Sequence, residues 1–288
     1  MEFSCIHTHS SFCDGDDDVE TICRTALRKG LRSVGFSSHA PVTAKTGMSG
    51  AWIMNDEKLE AYLDCVRAAK KRWEGKIAVH LGLEVDYIEG LIGPADRDYR
   101  EMGLDYIIGS VHFVSPPHGP PFTVDDSAEN VDRGIREGYG GDAFAMMAAY
   151  WEAEEAMIRA GGFDLLGHPD LVKKNNKDMR LFREDSDYYR GKLAAVASLT
   201  GKAGIPAEIN TGGINRGKIN DCYPSIPFLK LFRDNGVSMS INADAHRAED
   251  LDGNYGKAVN SLIAAGYTET VLFCGRENGR AVWESQKL

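Results

Sequence analysis

The chain has 288 residues, of which 43% are hydrophobic and 26% are charged, as in an ordinary globular protein. Its formal net charge of −10 excludes attraction of nucleic acid or an anionic membrane by bulk charge, so an anionic ligand needs a local positive site. The six cysteines form no Cys-x-x-Cys pair, and neither a signal peptide nor a membrane span is evident. We therefore expect a cytoplasmic protein with reduced thiols. The sequence leaves its oligomeric state open.

Short apolar runs alternate with longer amphipathic segments along the whole chain. The runs predict buried strands at about residues 3–7, 33–38, 77–84, 105–112, 163–168, 205–210, 237–243 and 270–274. The segments between them predict helices over 19–27, 59–73, 144–158 and 188–203 and from Pro224 onward, with Asn55 as a candidate N-cap of the second. The Pro-rich stretch 114–130 is predicted to be a loop over one end of the fold.

This alternation of strands and helices predicts an α/β fold with a parallel sheet. Seven or eight repeats favour one (β/α) barrel over two dinucleotide-binding halves, and no Gly-x-Gly-x-x-Gly motif follows the first strand. We therefore predict a single barrel domain over residues 1–288.

Histidines and carboxylates lie at the ends of the predicted strands. Residues i and i+2 of a strand point to one side, and the carboxyl ends of parallel barrel strands meet at one rim, so these side chains are expected to converge. Imidazoles beside carboxylates suit Zn, Mn or Fe, and nine ligands are enough for two or three divalent ions that share a bridging carboxylate. The predicted ligands are His7, His9, Asp14, His39, Glu84, His112, His168, Asp244 and His246.

The alternative for any one of these histidines is a structural, hydrogen-bonded role at a strand end. Six of the eight histidines occupy such ends, and a coincidence of six is hard to credit. The remaining two are interpreted differently: His80 is predicted to belong to the core, and His118 to lie solvated in the Pro-rich loop.

Short motifs surround the predicted ligands, and in chain order they are His7-Thr8-His9-Ser10, Cys13-Asp14-Gly15, Ser38-His39, Glu84, Ser110-Val111-His112, Gly167-His168-Pro169-Asp170 and Asp244-Ala245-His246. Together they resemble the polymerase-and-histidinol-phosphatase (PHP) superfamily over nearly the whole chain. Within it, the chain is most similar to the monofunctional histidinol-phosphate phosphatases, on segment 208–213, on Tyr223-Pro224-Ser225 and on Asp14. Segment 213–220 matches the family pattern only loosely.

The resemblance implies a distorted, TIM-like (β/α)7 barrel that forms one PHP-type domain, with its metal site at the carboxyl ends of the strands. It also implies how up to three ions are held. The first ion would use His7, His9, Glu84 and Asp244, the second Glu84, His112 and His168, and the third Asp14, His39 and His246.

The chemistry that follows is hydrolysis of L-histidinol phosphate to L-histidinol and phosphate, by in-line attack of a metal-bridging hydroxide. Asp14 and His246 are expected to assist that hydroxide. Basic residues near the predicted rim are candidates to bind the phosphate of this small-molecule substrate, with a solvated surface charge as the alternative for each. These residues are Lys173, Lys174, Arg216 and Arg247.

Two other functions stay open at this point. One is a PHP phosphoesterase that acts on another small phosphate ester or on nucleic-acid phosphodiesters, although the acidic composition and the absence of a basic stripe argue against nucleic acid. The other is a non-catalytic metal-binding module, which we would expect to have lost some ligands, whereas all nine are present.

Overall fold

A computed structural model describes residues 1–48, 50 and 52–288, except for the side chain of Arg100. Its strands are β1 Ser4–Cys5, β2 Ser33–Phe36, β3 Ala78–Asp86, β4 Tyr106–Ser110, β5 Phe113–Val114, β6 Phe122–Thr123, β7 Leu165–Leu166, β8 Ala207–Asn210, β9 Met239–Asn242, β10 Glu269–Glu277 and β11 Arg280–Lys287.

The helices connect the strands of the sheet and surround it. They are α1 Val19–Arg28, α2 Thr43–Thr46, α3 Leu59–Trp73, α4 Arg97–Glu101, α5 Ala128–Gly138, α6 Ala143–Ala160, α7 Asp187–Ala203, α8 Gly212–Asn215, α9 Ile226–Asp234 and α10 Tyr255–Ala265. Short 3-10 helices cover Asp56–Lys58, Leu171–Asn175, Lys177–Met179 and Ala248–Asp250. Within the described ranges, none of the helices combines the length and the apolar character that crossing a bilayer requires.

Seven parallel strands form one sheet in the order β1-β2-β3-β4-β7-β8-β9. Its two edges meet just beyond β1 and β9, where Thr8 pairs with Ala245 in an isolated parallel bridge. The His9 amide donates to the Ala245 carbonyl at 2.8 Å, and the Ala245 amide donates to the His7 carbonyl at 3.1 Å. The sheet therefore closes at this edge into a distorted (β/α)7 barrel, and the predicted fold class is confirmed.

The first helix shows how the local sequence sets the outer layer. Asp18 caps α1, since its side chain accepts a hydrogen bond from the Thr21 amide at 2.7 Å. The helix then buries residues spaced three and four apart, among them Val19, Ile22 and Ala26, against the barrel. The loop before this helix carries Asp14, and it is held at the mouth of the barrel by the Asp16 amide, which donates to the His246 carbonyl at 2.7 Å.

The β10–β11 hairpin packs at the amino-terminal end of the barrel, which is its closed end. Phe273 of β10 is buried, and its ring centroid lies 5.1 Å from that of Tyr106 and 4.9 Å from that of His80. His80 is thus a core residue at the closed end, as its position in the sequence predicts. The apolar cluster around Phe273 also contains Ile6, Ile108 and Leu165.

The run 270–274 forms a buried strand, as predicted, and this strand lies in the antiparallel β10–β11 hairpin outside the seven-stranded sheet. Two predictions about secondary structure were wrong. The stretch 114–130 contains the β5–β6 hairpin and the start of α5, a mostly polar helix that buries only Val131, Ile135 and Gly138. Asn55 precedes a 3-10 helix, and its side chain makes no capping hydrogen bond.

Candidate metal centre

The nine predicted ligands meet at the carboxyl ends of the barrel strands. Seven of them have side chains that are at most 8% exposed. The other two, Asp14 and His246, are 25% and 21% exposed and lie toward the mouth. The strand register therefore brings together residues that are far apart in the sequence, with His7 and His246 at the two extremes, 239 positions apart.

Glu84, at the carboxyl end of β3, lies at the centre of the cluster. Its Oε2 atom is 3.3 Å from His7 Nε2 and 3.4 Å from His9 Nε2. The same oxygen is 3.2 Å from His39 Nδ1. Three imidazole nitrogens therefore converge on one carboxylate oxygen.

The second oxygen of Glu84 faces a different group. Glu84 Oε1 is 2.9 Å from His168 Nε2 and 3.6 Å from His112 Nε2, and it accepts a hydrogen bond from Ser110 Oγ at 2.7 Å. One carboxylate thus faces two sets of imidazoles through its two oxygens, which is the geometry that a bridging ligand needs.

Two further carboxylates complete the cluster. Asp244 Oδ1 lies 3.2 Å from His9 Nε2 and 3.8 Å from His7 Nε2. Asp14 Oδ2 lies 3.1 Å from His246 Nε2, and its Oδ1 lies 3.5 Å from His9 Nδ1. Groups of atoms close enough to share one ion are His9 with Asp14, His39 and His246; His7 with Glu84 and His168; His7 with His9 and Asp244; and His39 with Asp86 and His112.

Several buried atoms in the cluster have no hydrogen-bond partner among the described residues. They include Glu84 Oε2, His7 Nε2, His9 Nε2, His39 Nδ1 and Asp14 Oδ1. A buried polar atom without a partner costs free energy, and several such atoms facing one point are unfavourable without a ligand. Divalent cations would satisfy all of them, so the residues present fit a multi-metal site.

The histidines of the cluster differ in their affinity for protons. Burial lowers the pKa of His9 to about 3, and the neighbouring His246 and His39 act in the same direction. Burial also disfavours the cationic form of His7, but the carboxylates of Glu208, Glu84 and Asp244 outweigh it and raise the pKa of His7 well above its ordinary value. His9 is therefore neutral and free to bind a metal, whereas a protonated His7 would have to release its proton first.

The carboxylates are held in their ionised form. Burial alone would raise the pKa of Glu84, yet the surrounding His7, His112 and His39 lower it well below its ordinary value. The pKa of Asp244 is also well below its ordinary value, because Arg216 and His7 overcome the effect of burial. Ionised carboxylates are the form that binds a cation.

Two buried carboxylates that the sequence analysis missed hold the histidines in place. Glu208 Oε1 and Oε2 each lie 3.0 Å from His7 Nδ1, and Oε1 accepts a hydrogen bond from the His168 amide at 2.9 Å. Asp86 Oδ1 lies 2.8 Å from His112 Nδ1. Such partners fix the ring orientation of a metal-binding histidine. The position of Asp86 at the end of β3, with the parity of Glu84, was a signal in the sequence, whereas Glu208 lies inside β8 and carried no such signal.

Arg216 links the residues that follow β9 to one another at the mouth of the site. Its guanidinium donates to Asp244 Oδ2 at 2.9 Å and to the Asp244 carbonyl at 2.8 Å, and it lies 2.8 Å from His246 Nδ1. Asp244 itself adopts a φ of 48°, in the left-handed region that Asp tolerates better than most residues. A Cβ atom on Gly212 would lie 2.8 Å from Asp244 Oδ2, so glycine leaves room for this carboxylate.

A cavity of about 270 Å³ opens above the cluster. Among the predicted phosphate contacts, Lys174 and Arg216 line it. Lys174 donates to the Asp125 carboxylate at 3.0 Å and to its carbonyl at 2.6 Å. The cavity also exposes Trp52, which packs with its ring centroid 5.1 Å from that of His39.

The other two predicted phosphate contacts lie outside this cavity. Lys173 donates to Asp170 Oδ2 at 2.8 Å and to the Cys222 carbonyl at 2.9 Å, and it supports the wall from behind. Arg247 pairs with Asp250 on the surface, and its side chain is 58% exposed. Their closeness in sequence to His168 and His246 does not bring these side chains to the cavity, because each of them turns toward a local carboxylate. Lys218, which neither a strand end nor a ligand motif marks in the sequence, also lines the cavity.

The charges around the cavity require metal ions for an anionic ligand to bind. Five carboxylates and three basic side chains line it, a formal net charge of −2 before any imidazole is protonated, and a protonated His112 still leaves it negative. Two or three divalent ions would reverse that sign, and a phosphate dianion would then be attracted.

Comparisons with known proteins agree with this geometry. Residues 6–212 match the PHP domain model. A Deinococcus radiodurans protein named "Probable histidinol-phosphatase" is 27% identical over 274 residues, which cover 94% of this chain and 96% of that protein. The Bacillus subtilis histidinol-phosphatase is 25% identical over 261 residues, which cover 86% of this chain and 95% of that protein.

A solved structure shares the fold. The crystal structure of the Lactococcus lactis histidinol phosphate phosphatase, complexed with Zn, L-histidinol and phosphate, has a TM-score of 0.64 and 18% identity. The match covers 98% of this chain and 99% of that one. Together with the domain match, which spans well over half of the residues, these findings show that the chain belongs to the PHP family of phosphoesterases.

Proposed function

We propose that this chain is a metal-dependent phosphomonoesterase that hydrolyses L-histidinol phosphate to L-histidinol and phosphate. The observation that supports it most directly is the convergence of nine ligand side chains, several with unpartnered buried atoms, around Glu84. The names of the two relatives, which align over 94% and 86% of this chain, support the substrate.

The nine residues would hold two or three ions of Zn, Mn or Fe. We assign His7, His9, Glu84 and Asp244 to one ion, Glu84, His112 and His168 to a second, and Asp14, His39 and His246 to a third. Bound divalent ions would lower the pKa of a water molecule toward neutrality and neutralise charge on the phosphoryl oxygens.

The reaction requires proton transfers, and residues of the chain itself would assist them. Hydrolysis joins a water oxygen to phosphorus and breaks the bond from phosphorus to the alcohol oxygen, so water loses a proton and the alcohol gains one. His246 and Asp14 form the partly exposed pair at the mouth, 3.1 Å apart. As ligands of the third ion, Asp14 and His246 would help to position the attacking hydroxide, and the leaving oxygen would take its proton from water.

Lys174 and Arg216 act from the walls of the cavity. Arg216 holds Asp244 and His246 in position through its three contacts. Lys174 holds Asp125, and with it the residues that follow β6, against the 3-10 helix Leu171–Asn175. Both cations are engaged by protein groups before any substrate arrives.

The test is steady-state phosphate release by protein that has been stripped with chelator and reloaded with Mn or Zn. L-histidinol phosphate is compared with p-nitrophenyl phosphate and a single-stranded oligonucleotide at equal concentrations. We expect kcat/KM to be largest for L-histidinol phosphate and activity to vanish in the stripped protein.

Each other result has a distinct meaning. Strong release from another monoester but none from L-histidinol phosphate would reject the substrate and keep the chemistry. Faster cleavage of the oligonucleotide would favour a phosphodiesterase. Inactivity of the metal-loaded protein on every ester would reject the proposed function.

A further inference from the structure

The basic residues near the metal centre differ in whether a protein carboxylate already neutralises them. Arg216 is paired with Asp244 at 2.9 Å, and Lys174 is paired with Asp125 at 3.0 Å. Each of these cations also donates to a backbone carbonyl, of Asp244 and of Asp125 respectively. A paired cation offers an incoming anion little net attraction, because its partner repels the same anion at nearly the same distance.

Lys218 is the exception among the described residues that line the cavity. Its side chain is exposed, and its ammonium makes no hydrogen bond or ion pair with any described residue. The backbone around it is nevertheless held in place. The Lys218 amide donates to the Gly213 carbonyl at 2.8 Å, and the Arg216 amide donates to the Gly212 carbonyl at 3.0 Å.

The location of Lys218 is also distinctive. It lines the cavity above the metal cluster and also the neighbouring groove of about 510 Å³, together with Lys174. It lies in segment 213–220, the part of the chain that fits the family motifs only loosely. An unpaired ammonium thus stands at the boundary between the metal cluster and a second open space.

We propose that Lys218 binds the phosphate group of the substrate, as the one basic side chain of the described cavity wall that is left free to do so. This inference rests on the proposed phosphomonoesterase function. A phosphate monoester carries nearly two negative charges at pH 7 and has three strong acceptor oxygens. An ammonium has three donors and no competing partner here, so it contributes charge-assisted hydrogen bonds when the ester arrives.

The experiment compares Lys218→Gln with Lys177→Gln in the metal-loaded full chain. Lys177 is a matched control, since it is also an exposed lysine without an ion pair among the described residues, and it lines the neighbouring groove but not the metal cavity. Both substitutions remove one positive charge. Inorganic phosphate is the probe, and its Kd is measured by titration calorimetry on Mn-loaded protein, alongside KM and kcat for L-histidinol phosphate.

We expect Lys218→Gln to weaken phosphate binding about tenfold and to raise KM in parallel, the size of one charge-assisted hydrogen bond at a partly exposed site. Lys177→Gln should change both by less than about twofold, and Lys218→Arg should restore most of the loss because it keeps the charge. A Lys218→Gln protein that matches Lys177→Gln in Kd and KM would overturn the inference.

The outcome separates this inference from the proposed function. If wild-type protein hydrolyses L-histidinol phosphate and Lys218→Gln has no effect, only the role of Lys218 is rejected. If phosphate binding depends on Lys218 but no monoester is hydrolysed, the anion site stands and the proposed function fails.

Discussion

The two ends of the barrel are built from the same strands but have opposite chemistry. Along β4 and just beyond it, Tyr106 and Ile108 belong to the apolar cluster at the closed end, whereas Ser110 and His112, which share their parity, belong to the metal centre. The same face of one strand thus changes from apolar to polar within six residues. At the closed end the buried side chains pack on one another, and at the mouth they leave nitrogen and oxygen atoms that have no partner in the described part of the chain.

This difference shows how the fold separates stability from function. Burial of rings and aliphatic groups stabilises the closed end, and this stability does not depend on a bound ligand. The mouth concentrates charge that is favourable only when cations are present. We therefore expect substitutions at the two ends to have separable effects, and the following predictions test that separation.

Glu84→Gln should have the largest effect on activity. The substitution removes the carboxylate that faces both groups of imidazoles, so metal content should fall and kcat/KM should drop by more than about 100-fold, the upper end of the loss for an outer partner. Elemental analysis and phosphate release measure both quantities. An active enzyme with full metal content would contradict the central place of Glu84, and an unchanged far-UV circular dichroism spectrum controls for folding.

Phe273→Ala should lower the stability of the protein and leave its activity nearly unchanged. It removes a ring that is 2% exposed at the closed end, so the free energy of unfolding should fall by about 3–5 kcal/mol. Urea denaturation of metal-loaded protein measures this loss. The kcat of the folded fraction at low temperature should stay within about twofold of wild type, and a large fall in kcat would show that the two ends are not independent.

Glu208→Gln should weaken the site without removing a predicted ligand. The variant keeps the size of the side chain but loses the charge that holds His7 Nδ1, and a loss of about 10–100-fold in metal affinity or activity is expected. A competition titration with a metal-binding dye gives the affinity. Glu269→Gln, a glutamate on the exposed start of β10, is the matched control and should have no effect.

The smallest expected effect is the release of protons from the histidines when the protein binds metal. Burial disfavours the charged form of His112, but Asp86 and Glu84 raise its pKa to about 10, and the pKa of His7 is raised well above its ordinary value as well. His112 is therefore protonated at pH 7 without metal, so metal binding must displace its proton, and metal affinity should increase as the pH rises toward 10. Calorimetry in buffers of different ionisation enthalpy detects the release. Heats that do not depend on the buffer would contradict it.

Much of the fold was predictable because burial on both faces of a parallel strand leaves a strong pattern. The first seven apolar runs became the barrel sheet. The eighth, 270–274, carries the same pattern for a different reason, since Phe273 covers the closed end from an antiparallel hairpin. Helix α5 was missed because its sequence is mostly polar and buries only one narrow stripe.

The site was predictable where the chemistry lies at strand ends and unpredictable where it depends on side-chain direction. His7 and Glu84 meet because barrel geometry brings strand ends together, which their place in the sequence predicts. Lys173 and Arg247 also follow ligands closely, yet they turn away toward Asp170 and Asp250. Each of these carboxylates lies three positions away in the chain, but the sequence does not show that the side chain turns toward it and not toward the cavity.

The sequence alone determined that buried strands alternate with helices and that histidines and carboxylates end those strands, because the period of apolar residues and the identity of each terminal residue are local properties. Only the tertiary structure decided that Glu84 would face two sets of imidazoles, that Glu208 and Asp86 would support them, and that Lys218 would have no ion-pair partner among the described residues. These are relations between side chains that are distant in the sequence, and they are fixed by packing and charge in three dimensions.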